Sequence, residues 1–176
     1  MHLHLPIEQL VQRVGTAFQF GFATEAKELL PEGEEFLLNA SHRGLHVLAR
    51  NEEALALPRD VLLDVYGPSL RIDAPRVRLI EGVQVREPIM HVRISVPTQY
   101  RESVKRAMRR RGAGACEEYA RATHCVLRYE APLADLLGLP AELRQLTEGR
   151  AKQSVALRHY AIVTRDRVEK PPDDGL

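Results

Sequence analysis

The segment at residues 89–96 alternates between apolar and polar side chains, and no other feature constrains the fold as strongly. A period of two places successive side chains on opposite faces of an extended strand. His91, Arg93 and Ser95 would share one face. The other face would carry Met90, Val92, Ile94 and Val96. The pattern therefore predicts a half-buried strand whose sheet packs on a core with one side and meets solvent with the other.

The residues after this strand predict an amphipathic helix that ends at a glycine. Pro97 and Thr98 stop the strand and open the helix. Gly112 closes it, because glycine accepts the left-handed backbone angles found at helix ends. The apolar stripe at helical spacing consists of Tyr100, Val104, Ala107 and Met108. Three arginines fill the last turn, where positive charge complements the helix dipole.

Three further strands and a second helix complete the second half. Residues 115–119 and 123–131 predict paired strands, residues 133–146 a helix interrupted near Gly138, and residues 154–163 a last strand. The order β-α-β-β-α-β, with right-handed crossovers, gives a four-stranded antiparallel sheet with both helices on one face. This is the ferredoxin-like fold of the α+β class. The open face would be basic and would carry His91, Arg93, Ser95, His124, Val126, Arg128, Glu130 and Arg158.

The first half predicts the same plan from weaker patterns. We expect strands at residues 3–7 and 35–40, helices at 8–18 and 42–54, and a strand over 61–65 and 69–72 broken at Gly67-Pro68. The chain would then contain two α+β domains, residues 1–82 and 83–165, joined directly near Gly82. A polar tail with proline and glycine, residues 166–176, is expected to be disordered.

Charge is distributed unevenly between the two halves. Residues 1–82 contain 8 Lys/Arg and 12 Asp/Glu, whereas residues 83–176 contain 17 and 12. This asymmetry indicates different partners for the halves, or attraction between them. No apolar run approaches the ~20 residues of a membrane span, and the first residues lack a signal-peptide pattern. Only Cys116 and Cys125 could form a disulfide, so these features favour a cytoplasmic protein.

Six short motifs in the second half resemble, in the same order, domain V of elongation factor G and its relatives. Residues 86–92, Arg-Glu-Pro-Ile-Met-His-Val, are similar to the family's LEPIM-x-V strand. The other motifs are Pro97 and Tyr100 at the helix start; Arg109-Arg110-Arg111-Gly112, similar to RRG; Ala131-Pro132-Leu133 with Gly138, similar to VPL…G; Leu143-Arg144 with Thr147, Gly149 and Arg150, similar to LRS-x-T-x-GR; and His159-Tyr160, similar to HY. The resemblance covers about residues 85–162.

The first half is more faintly similar to domain III of the same proteins. Residues 43–47, Arg-Gly-Leu-His-Val, resemble the GELHLE motif with Gly44 in place of its glutamate. Residues 75–78, Pro-Arg-Val-Arg, resemble P-x-V-x-Y-x-E. Domain III would then run directly into domain V without a domain IV, which is similar to BipA-type translational GTPases. Arg158 stands where the elongation factors often carry an acidic residue, which indicates a changed partner surface.

The resemblance implies an RNA-binding role, because domain V of these factors touches ribosomal RNA near the stalk base. Guanidinium groups also match phosphate geometry. The chain lacks the G-x-x-x-x-G-K-[ST] phosphate loop and the Asn-Lys-x-Asp guanine motif, so we expect no nucleotide, no cofactor and no catalysis. The candidate RNA-binding residues are Lys105, Arg106, Arg109, Arg110, Arg111, Arg144 and Arg150.

Other reactive residues favour structural interpretations. His42 and His46 would share a face of the expected helix, but a zinc site needs further ligands. His124 and Cys125 are neighbours on a strand and would point to opposite faces, which argues against a Cys-His nucleophile. The adjacent pair Glu117 and Glu118 would be separated in the same way. The RNA recognition motif shares this topology but stacks bases on central-strand aromatics, which the strand at residues 89–96 lacks.

Three hypotheses follow from these patterns. The first is a GTPase-less relative of elongation factor G that binds the ribosome or ribosomal RNA and modulates translation. The second is a protein-interaction module that keeps the fold and binds a protein partner through its open sheet face. The third is a C-terminal fragment of a larger translational GTPase. Salt dependence separates the first two, because phosphate contacts weaken steeply with salt and an apolar interface does not.

Overall fold

The computed structural model describes residues 2–31, 33–114 and 117–164. They form two antiparallel sheets with helices packed against them. In chain order the elements are β1 (Ile7–Arg13), α1 (Gln19–Glu28), β2 (Phe36–Ser41), β3 (Gly44–Ala49), α2 (Ala56–Tyr66), β4 (Leu70–Ile72), β5 (Arg76–Val77), β6 (Arg86–Pro97), α3 (Arg101–Arg110), β7 (Glu117–Ala120), β8 (His124–Pro132), α4 (Leu133–Leu136), α5 (Leu139–Leu146) and β9 (Lys152–Ile162). None of the helices in the described ranges has the length and apolar character required to cross a bilayer.

The second half forms a sheet in the order β7-β8-β6-β9, antiparallel throughout. Val92 in β6 lies opposite Tyr129 of β8 and Val155 of β9. The four alternating apolar residues of β6 are fully buried, as their period of two predicts. Helices cover this face with Val104, Ala107, Met108, Leu139 and Leu143. The predicted β-α-β-β-α-β order and ferredoxin-like fold are confirmed, and the second helix is divided at Gly138 into α4 and α5.

The first half has the same element order, with its strands arranged β2-β3-β1-β4 and the short β5 also paired with β1. Its core includes Ile7, Leu38, Leu45 and Leu62, all fully buried. The plan predicted for this half is therefore correct, but several elements lie elsewhere along the chain than predicted.

The helix predicted at residues 8–18 is wrong, because this segment is mostly β1. The strand predicted at 3–7 begins only at Ile7, and the first helix is α1, later in the chain. β1 is the central strand of its sheet, hydrogen-bonded to β3 on one side and to β4 and β5 on the other. Pairing on both edges with one buried face outweighs a local helical spacing of apolar residues.

The helix predicted at residues 42–54 is also wrong, because β3 lies there. A two-residue turn joins β2 to β3, and Ser41 pairs with Gly44 across it. Gly44 has a φ of +136°, and a Cβ at this position would lie 2.4 Å from the Val11 carbonyl oxygen. Only glycine fits this hairpin, so Gly44, which stands where the resembled motif has a glutamate, is a structural requirement.

The strand predicted at residues 61–65 lies inside helix α2, and only the portion near 70–72 forms a strand, β4. The β-branched residues Val61 and Val65 favour a strand locally. However, Pro58 and Leu62 are buried four residues apart, which is the spacing of a helix face against the core.

Among the residues that the structure describes, four side-chain hydrogen bonds join the halves along the β9 edge and the start of α5. Asn51 Nδ2 donates to the Val155 carbonyl at 3.1 Å, and Gln153 Nε2 donates to Glu53 at 2.9 Å. The backbone N–H of Gly138 donates to Glu52 Oε2 at 2.9 Å. The Tyr160 hydroxyl donates to the Leu3 carbonyl at 2.9 Å. These contacts leave the open face of the second sheet uncovered, and Arg93 and Arg128 on it are exposed.

The division into domains at residue 82 stays a prediction. Residues 166–176 and Cys116 lie outside the described residues. Cys125 is fully buried, whereas its neighbour His124 is exposed on the other face of β8, as predicted for adjacent strand residues.

Candidate nucleic-acid interface

Helix α3 presents the basic cluster because its apolar residues fix its orientation. Val104, Ala107 and Met108 are fully buried against the sheet. At about 100° per residue, the side of the helix opposite these three carries Arg106 and Arg109. Both side chains are exposed. The remaining cations lie on the flanks of the helix, towards β7 or towards α5.

On the flank towards β7, two cations share one carboxylate. Glu118 forms ion pairs with Lys105 Nζ at 3.1 Å and with Arg101 Nε at 2.5 Å. Glu118 is exposed to 20% at its side chain and lies on the helix side of its strand. Lys105, a predicted RNA-binding residue, therefore has a carboxylate partner within the protein.

On the flank towards α5, two arginines form ion pairs with Glu142. Arg110 Nη2 lies 2.8 Å from Glu142 Oε1, and Arg111 Nη2 lies 2.6 Å from Glu142 Oε2. Burial raises the pKa of Glu142, but hydrogen bonds from Arg111 and then Arg110, together with their positive charge, outweigh it and lower the pKa below its ordinary value. The carboxylate is thus held in its charged form.

Arg111 also binds backbone carbonyl groups. Its Nη1 donates to the carbonyl oxygens of Asp135 and Leu137, each at 2.9 Å. These two carbonyls flank the end of α4, directly before Gly138, whose φ of +83° divides the two helices. With its side chain 18% exposed, Arg111 fixes this bend, so its donors are already bound within the fold.

Arg106 and Arg109 differ from the other cations of α3. In the ranges that the structure covers, neither forms an ion pair. They are therefore the exposed cations of this helix whose guanidinium groups form no ion pair in the described ranges, which leaves their donors available to an external phosphate.

The other two predicted residues lie on and after α5. Arg144 is exposed and lines a cavity of about 330 Å³ together with Lys152 and Gln153. Arg150 is exposed to 57% and its Nη2 lies 4.0 Å from Glu148. The turn between them is fixed by buried Thr147, whose hydroxyl donates to the Leu143 carbonyl at 2.7 Å and accepts the Ala151 N–H at 2.9 Å.

His42 and His46, the two histidines considered for a zinc site, contact other side chains of the first half. The His42 ring stacks on Phe20 with centroids 5.4 Å apart. His46 lies on β3, with Nε2 2.8 Å from Ser41 Oγ and Nδ1 2.6 Å from Glu8 Oε1. This chain of bonds ties β2, β3 and β1 together, and the adjacent cavity of about 40 Å³ holds no more than one or two waters. No group of three metal-ligating side chains occurs among the residues described.

Sequence reasoning missed the carboxylates that compensate the basic cluster. Glu118 and Glu142 lie far from α3 along the chain, 13 residues from Lys105 and 32 from Arg110. Helical spacing indicates which cations share a face, but it gives no signal for an acidic residue contributed by another element.

Comparison with known proteins agrees with this fold. The family model described as "Elongation factor G C-terminus" matches residues 84–171. Elongation factor G 2 of Hahella chejuensis is 40% identical over 76 residues, which cover 43% of this chain and 11% of that protein. Elongation factor G 2 of Bdellovibrio bacteriovorus is 31% identical over 86 residues, covering 49% and 12%. Elongation factor G of Cytophaga hutchinsonii is 30% identical over 88 residues, covering 50% and 13%.

The matched segment thus spans about an eighth of the length of these relatives. A crystal structure of the protein ttk003000868 from Thermus thermophilus superposes with a TM-score of 0.65 at 14% identity, covering 92% of this chain and 41% of that one. Because this superposition covers 92% of the chain, the two proteins share their fold over both halves and not only over residues 84–171. Because the family model covers half of its residues, the chain belongs to the elongation factor G C-terminus family and is a translation-factor-related protein.

Proposed function

We propose that this chain is a non-catalytic relative of elongation factor G that binds the ribosome or ribosomal RNA in the cytoplasm and modulates translation without a GTPase of its own. The observation that carries this proposal is the pair Arg106 and Arg109, exposed on α3 with no internal counter-ion among the described residues. Family membership supports the translational context. The phosphate backbone is the partner that an exposed pair of guanidinium groups matches best.

The binding surface would consist of Arg106 and Arg109 at its centre, with Arg110 beside them and Arg144 and Arg150 on the neighbouring α5 side. Lys105 and Arg111 would act differently. Their bonds to Glu118 and Glu142 hold the helix in place, so they support the surface through the fold.

The test is co-sedimentation with ribosomes and isolated subunits at low and moderate salt. We expect saturable, salt-sensitive binding by the wild type and its loss in Arg106→Glu/Arg109→Glu. Arg59→Glu is the control matched in charge to the single variant Arg106→Glu, since Arg59 is a half-exposed helical arginine in α2 whose Nε lies 3.0 Å from Asp60. The control should bind as the wild type does.

Absence of binding at low salt would refute the ribosomal role and leave the protein-interaction hypothesis. Equal loss of binding in the Arg59 control would show that net charge matters and that the α3 surface does not. Loss in the α3 variant alone, together with unchanged thermal unfolding, would establish the surface.

A further inference from the structure

The open face of the second sheet carries a row of cations that the helix surface does not use. Arg93 on β6 lies directly opposite Arg128 on β8, and both are exposed. Lys152, the first residue of β9, lies opposite Ser95 at the end of this face and also lines the cavity beside Arg144, so Arg93 and Arg128 are the cations that belong to the open face alone. We propose that this face is a separate binding site for single-stranded RNA, on the side of the sheet opposite α3 and α5.

The Arg93–Arg128 pair is the first observation that indicates a missing anion. Side chains directly opposite each other in an antiparallel pair lie about 4.5–5.5 Å apart at Cβ, and like charges there are destabilising. Neither arginine forms an ion pair with any residue in the described ranges. Glu117 lies opposite Arg128 on the edge strand β7, but Arg93 is flanked on its other side by the neutral Ser154. A phosphate above the pair would remove the repulsion.

The second observation is an exposed aromatic ring beside this row. Tyr119 on β7 lies opposite Val126, next to Arg128 on the same face, and the residue is 62% exposed. The guanidinium of Arg121 lies 5.7 Å from the centre of its ring. Cations that follow the backbone and an aromatic ring on which a base stacks are the two parts of a single-strand binding surface.

Three other charged or titratable residues at this face contact one another and not Arg93 or Arg128. Glu130 is paired with Arg158, and His159 Nδ1 lies 4.0 Å from its other oxygen. This cluster occupies the end of the sheet away from Tyr119 and Lys152. The hydroxyls of Ser95 and Ser154 lie within the cationic row and can bond a ribose 2′-hydroxyl, which favours RNA over DNA. A single-stranded RNA uses both parts of the surface, the arginines for its phosphates and the tyrosine for a base, and an acidic protein segment is the competing occupant that the test includes.

The inference goes beyond the proposed function because it uses other residues, and it is tested without ribosomes. The probe is a fluorescein-labelled 12-mer of uridine, with binding followed by anisotropy at salt from about 50 to 200 mM. At about 0.1 M salt the Debye length is about 10 Å, so charge changes on the helix side are largely screened from the open face. A 12-mer of thymidine and a polyglutamate peptide are the competing probes.

We expect Arg93→Glu/Arg128→Glu to weaken binding of the uridine 12-mer about tenfold or more, and Arg106→Glu/Arg109→Glu to change it less than about twofold. Three phosphate contacts give a slope of log affinity against log salt of about −2, which should fall to roughly −0.7 in Arg93→Gln/Arg128→Gln. Tyr119→Leu should weaken binding roughly fivefold or more, and Tyr119→Phe should retain it.

No binding by the wild type, or an equal loss in the α3 variant, would overturn the inference while leaving the ribosome result unaffected. Equal affinity for the thymidine 12-mer would overturn the assignment to RNA. Tighter binding of polyglutamate than of either oligonucleotide would overturn it in favour of a protein partner. The altered side chains are exposed, and unchanged thermal unfolding of each variant is the control for folding.

Discussion

Replacement of Arg111 by methionine should destabilise the protein, although the residue lies in a run of surface cations. Methionine retains the aliphatic volume and removes the guanidinium. The fold then loses a bidentate contact to Glu142, with Nε 2.7 Å and Nη2 2.6 Å from the same oxygen, and two hydrogen bonds to the carbonyls of Asp135 and Leu137. The side chain is 18% exposed, so water replaces these bonds incompletely.

The size of the destabilisation depends on how far Glu142 and the two carbonyls find other partners. A hydrogen bond to a charged group contributes about 1.5–3 kcal/mol, and removal of one partner from a buried ion pair costs about 3–5 kcal/mol. Because Glu142 retains Arg110 and the carbonyls can partly reach water, we expect the free energy of unfolding to fall by about 3 kcal/mol. For a chain of this length that corresponds to a decrease in Tm of roughly 6–12 °C.

The assay is urea-induced unfolding of Arg111→Met beside Arg110→Met. Arg110 binds the same carboxylate, but its side chain is 59% exposed, so its replacement should change the free energy of unfolding by no more than about 0.5 kcal/mol. Equal effects of the two replacements would refute the reasoning, because burial and the carbonyl bonds distinguish Arg111 from Arg110. A stable Arg111→Met that loses ribosome binding would make Arg111 a binding residue instead.

Three further predictions follow from other contacts. The pKa of Glu142 lies below its ordinary value of 4.5. The charged carboxylate therefore stabilises the fold above pH 4.5, and this stabilisation is lost as the pH falls through the lowered pKa of the folded protein. Urea unfolding should show that the stability difference between wild type and Glu142→Gln shrinks on acidification from about pH 6 to about pH 3. Gly44→Ala should lower the free energy of unfolding by about 2–4 kcal/mol, because its Cβ would meet the Val11 carbonyl oxygen in a strained backbone conformation; a change under about 0.5 kcal/mol would contradict this. Arg93→Ser should raise the Tm slightly, by the equivalent of about 0.2–1 kcal/mol, because it removes the repulsion from Arg128, and a lower Tm would argue against an uncompensated pair.

The second half could be predicted from its sequence because each local pattern agrees with the final packing. The alternation in β6 matches one buried and one open face, and the stripe on α3 matches the core. Gly112 has a φ of +72° and ends the basic helix, as glycine at that position predicts. Where local preference and tertiary packing coincide, the pattern is sufficient.

In the first half, local sequence preference and tertiary packing conflict. Residues 8–18 show a helical spacing of apolar side chains, but the first six of these residues are paired with neighbouring strands as part of β1. Val61 and Val65 favour a strand but lie on helix α2. Both outcomes depend on partners distant in sequence, so no window of a few residues contains the information that decides them.

The candidate site, too, could be predicted only in part from the sequence. The position of Arg106 and Arg109 on the outer side of α3 follows from helical geometry alone. Which of the predicted cations are compensated depends on Glu118 and Glu142, which are brought to the helix by the fold. To predict that Arg93 lies opposite Arg128, one must know the register between β6 and β8, and the alternation of apolar residues does not determine that register.

The pairing of β6 with β9 has a consequence for synthesis on the ribosome. β6 is the first strand of its sheet to be made and β9 the last, yet they are neighbours. From the end of β6 at Pro97 to the end of β9 at Ile162, translation at about 5–20 residues per second takes roughly 3–13 s. During that interval one edge of an apolar strand has no partner within the nascent chain. Such an edge is a substrate for chaperones and for association with neighbouring nascent chains, so the rate of elongation across this stretch should influence how much of the protein is recovered folded.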